Sequence, residues 1–137
     1  MQMTHDSMTR FAEAWIANWN RRDIEAVLEH FAEEAQFLSP LALKYFGREL
    51  LRGKQEIRAY WTAALLEVSS LEFKLDHANW DERRRELTVV CDANLNGERK
   101  RACELMQFDA SGRQIRGEAM YGAALSEAAV AGAENAR

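Results

Sequence analysis

Apolar residues in the first third of the chain recur at intervals of three and four, the spacing of one face of an α-helix. Polar residues 20–22 interrupt this stripe, and Asp23 is a suitable N-cap for a second helix whose apolar face ends at Phe31. The pattern predicts two helices joined by a tight turn. The first helix would bury one face that consists of Met8, Phe11, Ala12, Trp15, Ile16 and Trp19.

The middle of the chain contains one more helical stripe. Residues 35–40 have the composition of a short strand that ends at Pro40, because proline cannot donate to a strand ladder. Residues 41–52 have no clean period and are rich in Leu, Tyr and Phe, so we expect a partly buried loop or lid. A third helix is expected from about Lys54, with a stripe formed by Ile57, Tyr60, Trp61, Ala64, Leu65 and Val68.

From Ser70 onward the period of apolar residues falls to two, which is typical of half-buried β-strands. Helices followed by a strand meander predict an α+β fold, with three N-terminal helices packed on a curved antiparallel sheet. We expect one domain over residues 1–137, with a core of about 8–122 and a tail of 123–137 that is frayed helix or disordered. The inner faces of the strands would carry Leu71, Phe73 and Leu75, then Leu87, Val89, Cys91, Ala93 and Leu95, then Ala102, Glu104, Met106 and Phe108, and finally Ile115, Gly117, Ala119 and Tyr121.

Two turns determine which way Glu104 points. Asn96-Gly97 favours a two-residue turn, because both positions accept positive φ, and this turn pairs Val89 with Glu104. A turn around Ser111-Gly112 pairs Glu104 with Ala119. Directly opposed residues share one side of a sheet, so both hairpins predict that Glu104 lies inside.

The same register separates the two cysteines and leaves one histidine open. Cys91 and Cys103 fall on opposite faces, so we expect two free thiols. His77 points inward if an odd-length loop or a bulge lies near residues 81–84, and outward without it. We expect the inward orientation.

A buried acid suggests chemistry in the interior. A carboxylate among apolar side chains is costly, so Glu104 should be neutral with a raised pKa, or hydrogen-bonded to a partner or ligand. Glu104 and His77 are the catalytic candidates, as a general acid–base pair, and a structural role is the alternative. Aromatic walls with a few polar groups suit a flat, largely apolar molecule. The predicted ligand pocket consists of Trp15, Trp19, Ser39, Tyr60, Trp61, Val89, Cys91, Met106, Ala119 and Tyr121.

Composition narrows the classes of partner. The net charge is −4 and the sharpest basic cluster, Arg83-Arg84-Arg85, falls in an expected turn, so we expect no nucleic-acid partner. No stretch reaches the roughly 18 apolar residues of a membrane span, and residues 1–10 lack the pattern of a signal peptide. A cytoplasmic protein is expected. Metal-ligand spacing is missing, so we expect no metal and no cofactor.

Three segments resemble the nuclear-transport-factor-2-like superfamily, which includes ketosteroid isomerases and SnoaL-like polyketide cyclases. They are FAEAWIANWNRRDIEAVLEHFAEEAQFLSP, RGKQEIRAYW and FDASGRQIRGEAMYG, in this order between about Phe11 and Tyr121. The resemblance implies a cone of helices against a strongly bent sheet, and a homodimer through the outer sheet face. It also matches Glu104 to the acid of the isomerase oxyanion hole, whereas Trp15 replaces the isomerase tyrosine and Ser39 replaces the basic aspartate before a proline.

These observations favour a dimeric domain that binds a small apolar or aromatic ligand in an internal pocket. A cofactor-independent isomerase, cyclase or hydratase with Glu104 as acid–base is the first alternative. A non-catalytic protein-interaction module is the second. The substitutions at Trp15 and Ser39 favour binding over steroid isomerisation.

Overall fold

The computed structural model describes residues 2–125. Four helices and six strands follow one another in this part of the chain, which confirms the α+β class. In chain order they are α1 His5–Asn20, α2 Ile24–Leu28, β1 Phe31–Leu38, α3 Ala42–Phe46, β2 Leu50–Arg52, α4 Gly53–Leu66, β3 Leu71–Asp81, β4 Glu86–Leu95, β5 Glu98–Phe108 and β6 Gln114–Ala124.

Side chains cap the N-terminal ends of both α1 and α2. Thr4 caps α1 through a capping box, in which its hydroxyl accepts from the Ser7 amide at 3.1 Å and the Ser7 hydroxyl accepts from the Thr4 amide at 2.8 Å. Asp23 caps α2 by accepting from the Ala26 amide at 3.0 Å, as predicted. The assignment of Phe31 to the second helix is wrong. Phe31 begins β1 opposite Gln114, and its ring is buried there instead.

The six strands form one curved, unclosed sheet in the order β2-β1-β6-β5-β4-β3. Every neighbouring pair is antiparallel except β1 and β6, which run parallel. The sheet is therefore mixed, and the expectation of a purely antiparallel sheet fails at this one pair. The parallel pair joins distant parts of the chain, since β1 precedes the meander of β3 to β6 and β6 is the last strand of that meander.

The register around β5 confirms the inward position of Glu104. The Asn96-Gly97 turn has φ values of 56° and 84°, and it pairs Leu95 with Glu98. On β5, Glu104 lies opposite Val89 on one side and Ala119 on the other. The two cysteines are free thiols, as predicted.

A β-bulge in β3 reverses the prediction for His77. The register shifts between Leu75 and His77, so Asp76 is the extra residue within the strand. The extra residue reverses the face on which the following residues of β3 lie. His77 is therefore opposite Val90 on the outer side of the sheet. The His77 side chain is 52% exposed and its Nδ1 lies 2.6 Å from Asp76 Oδ2. The inward orientation is therefore wrong, because the irregularity lies before His77 rather than at residues 81–84.

A second irregularity lies at the start of β6. Phe108 pairs with Gln114 and Gln107 pairs with Arg116, which leaves Ile115 without a partner. Ile115 is 40% exposed, whereas Gln114 is buried and donates to the Arg116 carbonyl at 3.2 Å. The predicted inward position of Ile115 is therefore wrong.

The segment without a clean period contains two short elements, α3 and β2. Gly47 ends α3 with a φ of 68°, and β2 then pairs with the edge of β1.

At the C-terminal end of the described residues, β6 runs to Ala124, two residues past the predicted core. Residues 126–137 of the predicted tail lie outside the described part of the chain. No helix within residues 2–125 is long and apolar enough to cross a membrane.

Candidate functional site

Helices α1, α3 and α4 and the inner face of the sheet surround a cavity of about 490 Å³. Side chains of α1 and α4 form one wall. The other wall consists of alternate residues of β3 and β4, of residues 102–104 of β5 and of residues 119–121 of β6. Residues 41, 43, 44 and 45 form part of its rim. Eight of the ten predicted pocket residues line this cavity: Trp15, Trp19, Ser39, Tyr60, Trp61, Cys91, Ala119 and Tyr121.

Two of the predicted pocket residues do not line the cavity. Val89 and Met106 are fully buried on the inner face of the sheet, away from the cavity wall. Some of the cavity residues that the prediction missed had a predicted face. Phe73 lies on a strand whose alternation indicated an inward face, and Ala64 and Leu65 lie on the predicted stripe of the third helix. No face was predicted for the others, which include Phe37, Leu41, Leu43 and Tyr45.

The aromatic part of the wall is held in place by ring contacts. Trp19 meets Trp61 edge to face with ring centroids 4.9 Å apart, and Trp15 stacks on Phe73 at 6.3 Å with an interplanar angle of 16°. Phe37 meets Trp61 at 5.3 Å. Such pairs stabilise specific ring orientations, so the wall has a defined shape rather than a collapsed one.

Glu104 is the one carboxyl group on the cavity wall within residues 2–125. The residue is only 8% exposed, and its Oε2 atom has no hydrogen-bond partner among residues 2–125. Burial raises the pKa of Glu104 to about 8, because the charged form loses its hydration and gains no compensating partner. The carboxyl is therefore largely uncharged at neutral pH.

Two hydroxyl groups accompany this acid. The Ser39 and Tyr60 hydroxyls lie 3.1 Å apart and share a hydrogen bond. Burial raises the pKa of Tyr60, although the bond to Ser39 opposes the shift and the nearby Glu104 charge adds to it. Burial also raises the pKa of Tyr121, with smaller contributions from Tyr60 and Glu104. Both phenols are neutral at physiological pH and able to donate.

Cys91 lies on the same inner face. Burial, followed by the nearby Glu104 charge, raises the pKa of its thiol to about 12. The thiolate is the nucleophilic form of cysteine, so this thiol is unreactive at neutral pH.

The rim formed by α3 is attached to the end of α4. Lys44 Nζ lies 3.3 Å from Glu67 Oε1, and the Tyr45 hydroxyl donates to the other oxygen of the same carboxylate. Glu67 is the residue that ends α4. One carboxylate thus joins the two helices beside the cavity, while Leu41 and Leu43 remain exposed there.

The predicted pairing of Glu104 with His77 does not occur. Glu104 faces the cavity from β5, whereas the bulge at Asp76 turns His77 to the outer face of β3. Among residues 2–125, no group of three or more His, Cys, Asp and Glu side chains is arranged to hold a metal ion. The site therefore consists of one buried acid, neighbouring hydroxyl groups and an aromatic wall.

Solved structures share this fold. A SnoaL-like protein of unknown function from Burkholderia thailandensis is 26% identical, with a TM-score of 0.75 over 89% of this chain and 100% of its own. SalBIII, an epoxide hydrolase/cyclase-like enzyme with a role in pyran ring formation in the polyether salinomycin, is 16% identical (TM-score 0.65; 88% and 95% covered). A Kribbella flavida protein with a proposed ketosteroid isomerase assignment is 15% identical (TM-score 0.68; 89% and 82% covered).

The similarity to the last two structures, below 25% identity, shows a common fold and not a common reaction. The sequence matches none of the curated proteins. Residues 12–121, which include every residue of the cavity wall, match the SnoaL-like domain. The chain therefore belongs to the SnoaL-like domain family.

Proposed function

We propose that this protein binds a small, largely apolar molecule inside the cavity, and that Glu104 contacts the one polar group of that molecule. The observation that carries the proposal is an aromatic-walled cavity that reaches a buried carboxyl whose Oε2 atom has no hydrogen-bond partner among residues 2–125. A volume of about 490 Å³ lies within the range of small-molecule sites. Apolar walls with few polar groups are the usual composition of such sites.

The energetic cost of Glu104 supports a ligand rather than a structural role. An apolar side chain of similar size would fill the same position without the cost of burying an acid. A bound molecule would supply the hydrogen-bond partner that the Oε2 atom lacks. Ligand binding would then offset the free-energy cost of burying Glu104 without a hydrogen-bond partner.

Catalysis of proton transfer is the alternative, and the geometry supports it less well. Glu104 is the one Asp or Glu on the cavity wall within residues 2–125. The other polar side chains of the wall carry hydroxyl, thiol and lysine groups. Ser39 is already bonded to Tyr60, and His77 lies on the opposite face of the sheet. A reaction that needs a second carboxyl or an imidazole group beside Glu104 would not find one on this wall.

We also propose that two copies associate through the outer face of the sheet. Val90, Cys103 and Met120 lie in one row across β4, β5 and β6, with Leu105 two positions further along β5. This apolar row is at least partly exposed in the single chain. A second copy would cover it by the same surface, as in a two-fold dimer.

Filling the cavity should abolish ligand binding. In A119F a benzyl group would project from β6 beside Glu104 into the space that the ligand needs. We expect the affinity for an uncharged fluorescent dye such as Nile red to fall at least tenfold, measured by dye fluorescence and by quenching of the wall tryptophans. The control N79F places the same side chain on the exposed outer face of β3 and should bind normally. Equal dye affinity for A119F and the wild type would contradict the proposed site.

The stability of the empty protein should depend on pH through Glu104. Its pKa is raised by burial from the ordinary value of 4.5 to about 8, so between these values the folded protein keeps a proton that the unfolded chain has lost. Stability is therefore highest below pH 4.5, falls as the pH rises toward 8, and levels off above it. E104Q cannot lose a proton at this position. Between pH 5 and pH 8 the wild type should lose about 3 kcal/mol of unfolding free energy relative to E104Q.

Urea unfolding at the two pH values measures this difference. The comparison with E104Q removes the pH dependence of all other groups, which both proteins share. The same wild-type-to-variant difference at pH 5 and pH 8 would contradict a buried, partnerless acid at this position.

Disrupting the outer face should yield monomers. V90K places a charge in the centre of the apolar row, where burial of an unpaired ammonium opposes association. We expect sedimentation velocity to give a dimer for the wild type and for N79K, and a monomer for V90K with normal dye binding. A wild-type protein that remains monomeric at high micromolar concentration would contradict the proposed dimer.

A further inference from the structure

We infer that the ligand of this cavity carries a basic nitrogen, and that its ammonium group binds the Glu104 carboxylate between the aromatic walls. The inference rests on the proposed function and names the chemical class of the molecule that the cavity binds. It concerns the one polar group of an otherwise apolar ligand.

The first observation is an acid without a countercharge. Lys44 is the one lysine or arginine on the cavity wall within residues 2–125, and it lies on the rim, 3.3 Å from Glu67 Oε1. Glu104 Oε2 has no hydrogen-bond partner among the described residues. The cavity thus holds a potential negative charge for which the described part of the chain supplies no cation.

An ionised Glu104 would favour a cation in the cavity. Its charge raises the pKa of Cys91 after the larger effect of burial, and the charge of Asp92 adds to this shift. Once it has lost its proton, Glu104 would therefore repel an anionic ligand and attract a cationic one.

One cation on the outer face acts in the opposite direction. Arg101 lowers the pKa of Cys91, and this is the smallest of the effects that act on that thiol. Its guanidinium lies 3.3 Å from Asp92 Oδ1 and 3.5 Å from Asp76 Oδ1, so two carboxylates already balance it. Arg101 therefore leaves the acid in the cavity without a partner of its own.

The second observation is the composition of the wall. Trp15, Trp19 and Trp61 line the cavity together with Tyr60 and Tyr121. Indole and phenol rings carry negative charge on their faces and attract ammonium groups. An acid in a cavity lined by such rings provides a countercharge, and the rings provide an apolar surface for the carbon atoms of the ligand.

The third observation is a hydrogen-bond acceptor for a second N–H. In the Ser39–Tyr60 pair either hydroxyl can act as the donor, so one oxygen of the pair remains able to accept. An ammonium has donors and no acceptor, which matches a carboxylate and a hydroxyl oxygen. A carbonyl or ether ligand would instead have to accept from the protonated acid.

The pH dependence of affinity distinguishes an amine from a ligand that accepts a hydrogen bond from Glu104. Below pH 8 Glu104 is protonated in the empty cavity, so binding of an ammonium ion releases one proton from Glu104 to the solvent. The affinity for an amine should therefore rise as the pH rises from 6 to 8. A ligand that accepts a hydrogen bond from the protonated acid should lose affinity in the same range. Tyr60, Tyr121 and Cys91 have raised pKa values and stay neutral throughout.

A matched pair of probes tests the inference. The compounds 1-naphthylmethylamine and 1-naphthylmethanol have nearly the same shape and differ in the ammonium and hydroxyl groups. In isothermal titration calorimetry at pH 7, we expect wild-type protein to bind the amine at least tenfold more tightly than the alcohol. Titrations in two buffers of different ionisation enthalpy should show the release of nearly one proton with the amine alone. In E104Q the amine should lose at least tenfold in affinity, and the alcohol less than threefold.

The outcomes distinguish this inference from the proposed function. If the alcohol binds as tightly as the amine in the wild type, and A119F abolishes both, the ligand class is wrong and the binding function stands. If neither probe binds the wild-type protein, both are overturned. The comparison of the two probes in the wild type does not depend on the folding of any variant.

Discussion

Antiparallel pairing on both sides of β5 determines what this cavity contains. Residues directly opposed in such a pair share a face, so Glu104 lies on the same side as Val89 and Ala119. A shift of either hairpin by one residue would turn Glu104 to the outside and bring its neighbours into the interior. The Asn96-Gly97 turn, with both residues at positive φ, holds the first of these registers. The geometry of the sheet therefore places Glu104 inside. Aromatic side chains of α1 and α4 line the same cavity.

This placement has an energetic consequence for the empty protein. A buried carboxyl without a partner stays protonated at neutral pH, as the raised pKa of Glu104 reflects, and it gives less stability than an apolar side chain would. The aromatic contacts of Trp15, Trp19 and Trp61 meanwhile hold the cavity open beside it. A costly acid and a preserved space in the same place are typical of a binding site rather than of a core built for stability alone. The SnoaL-like fold forms the cavity, and the side chains on the cavity wall of this chain determine which ligand it binds.

Much of this arrangement follows from local patterns. The stripe of α1, the Asp23 cap and the Asn96-Gly97 turn each have a direct signature, and together they predict the fold and the inward acid. The bulges at Asp76 and Ile115 have no such signature, because one inserted residue changes the face of a strand without changing its composition. The errors at His77 and Ile115 both come from these bulges. The parallel pairing of β1 with β6 joins distant parts of the chain, and α3 spans only five residues, too few to establish a period.

The proposed binding site depends on Glu104 being a buried acid, and its Oε2 atom has no hydrogen-bond partner among residues 2–125. The most direct test is a pH titration of its side-chain carboxyl carbon by NMR, with ¹³C-labelled glutamate and with E104Q to identify the signal. We expect a midpoint near pH 8, since burial raises the pKa of Glu104 to about that value. A midpoint close to the ordinary value of 4.5 would show a hydrated or paired carboxylate and would contradict a buried, unpaired Glu104.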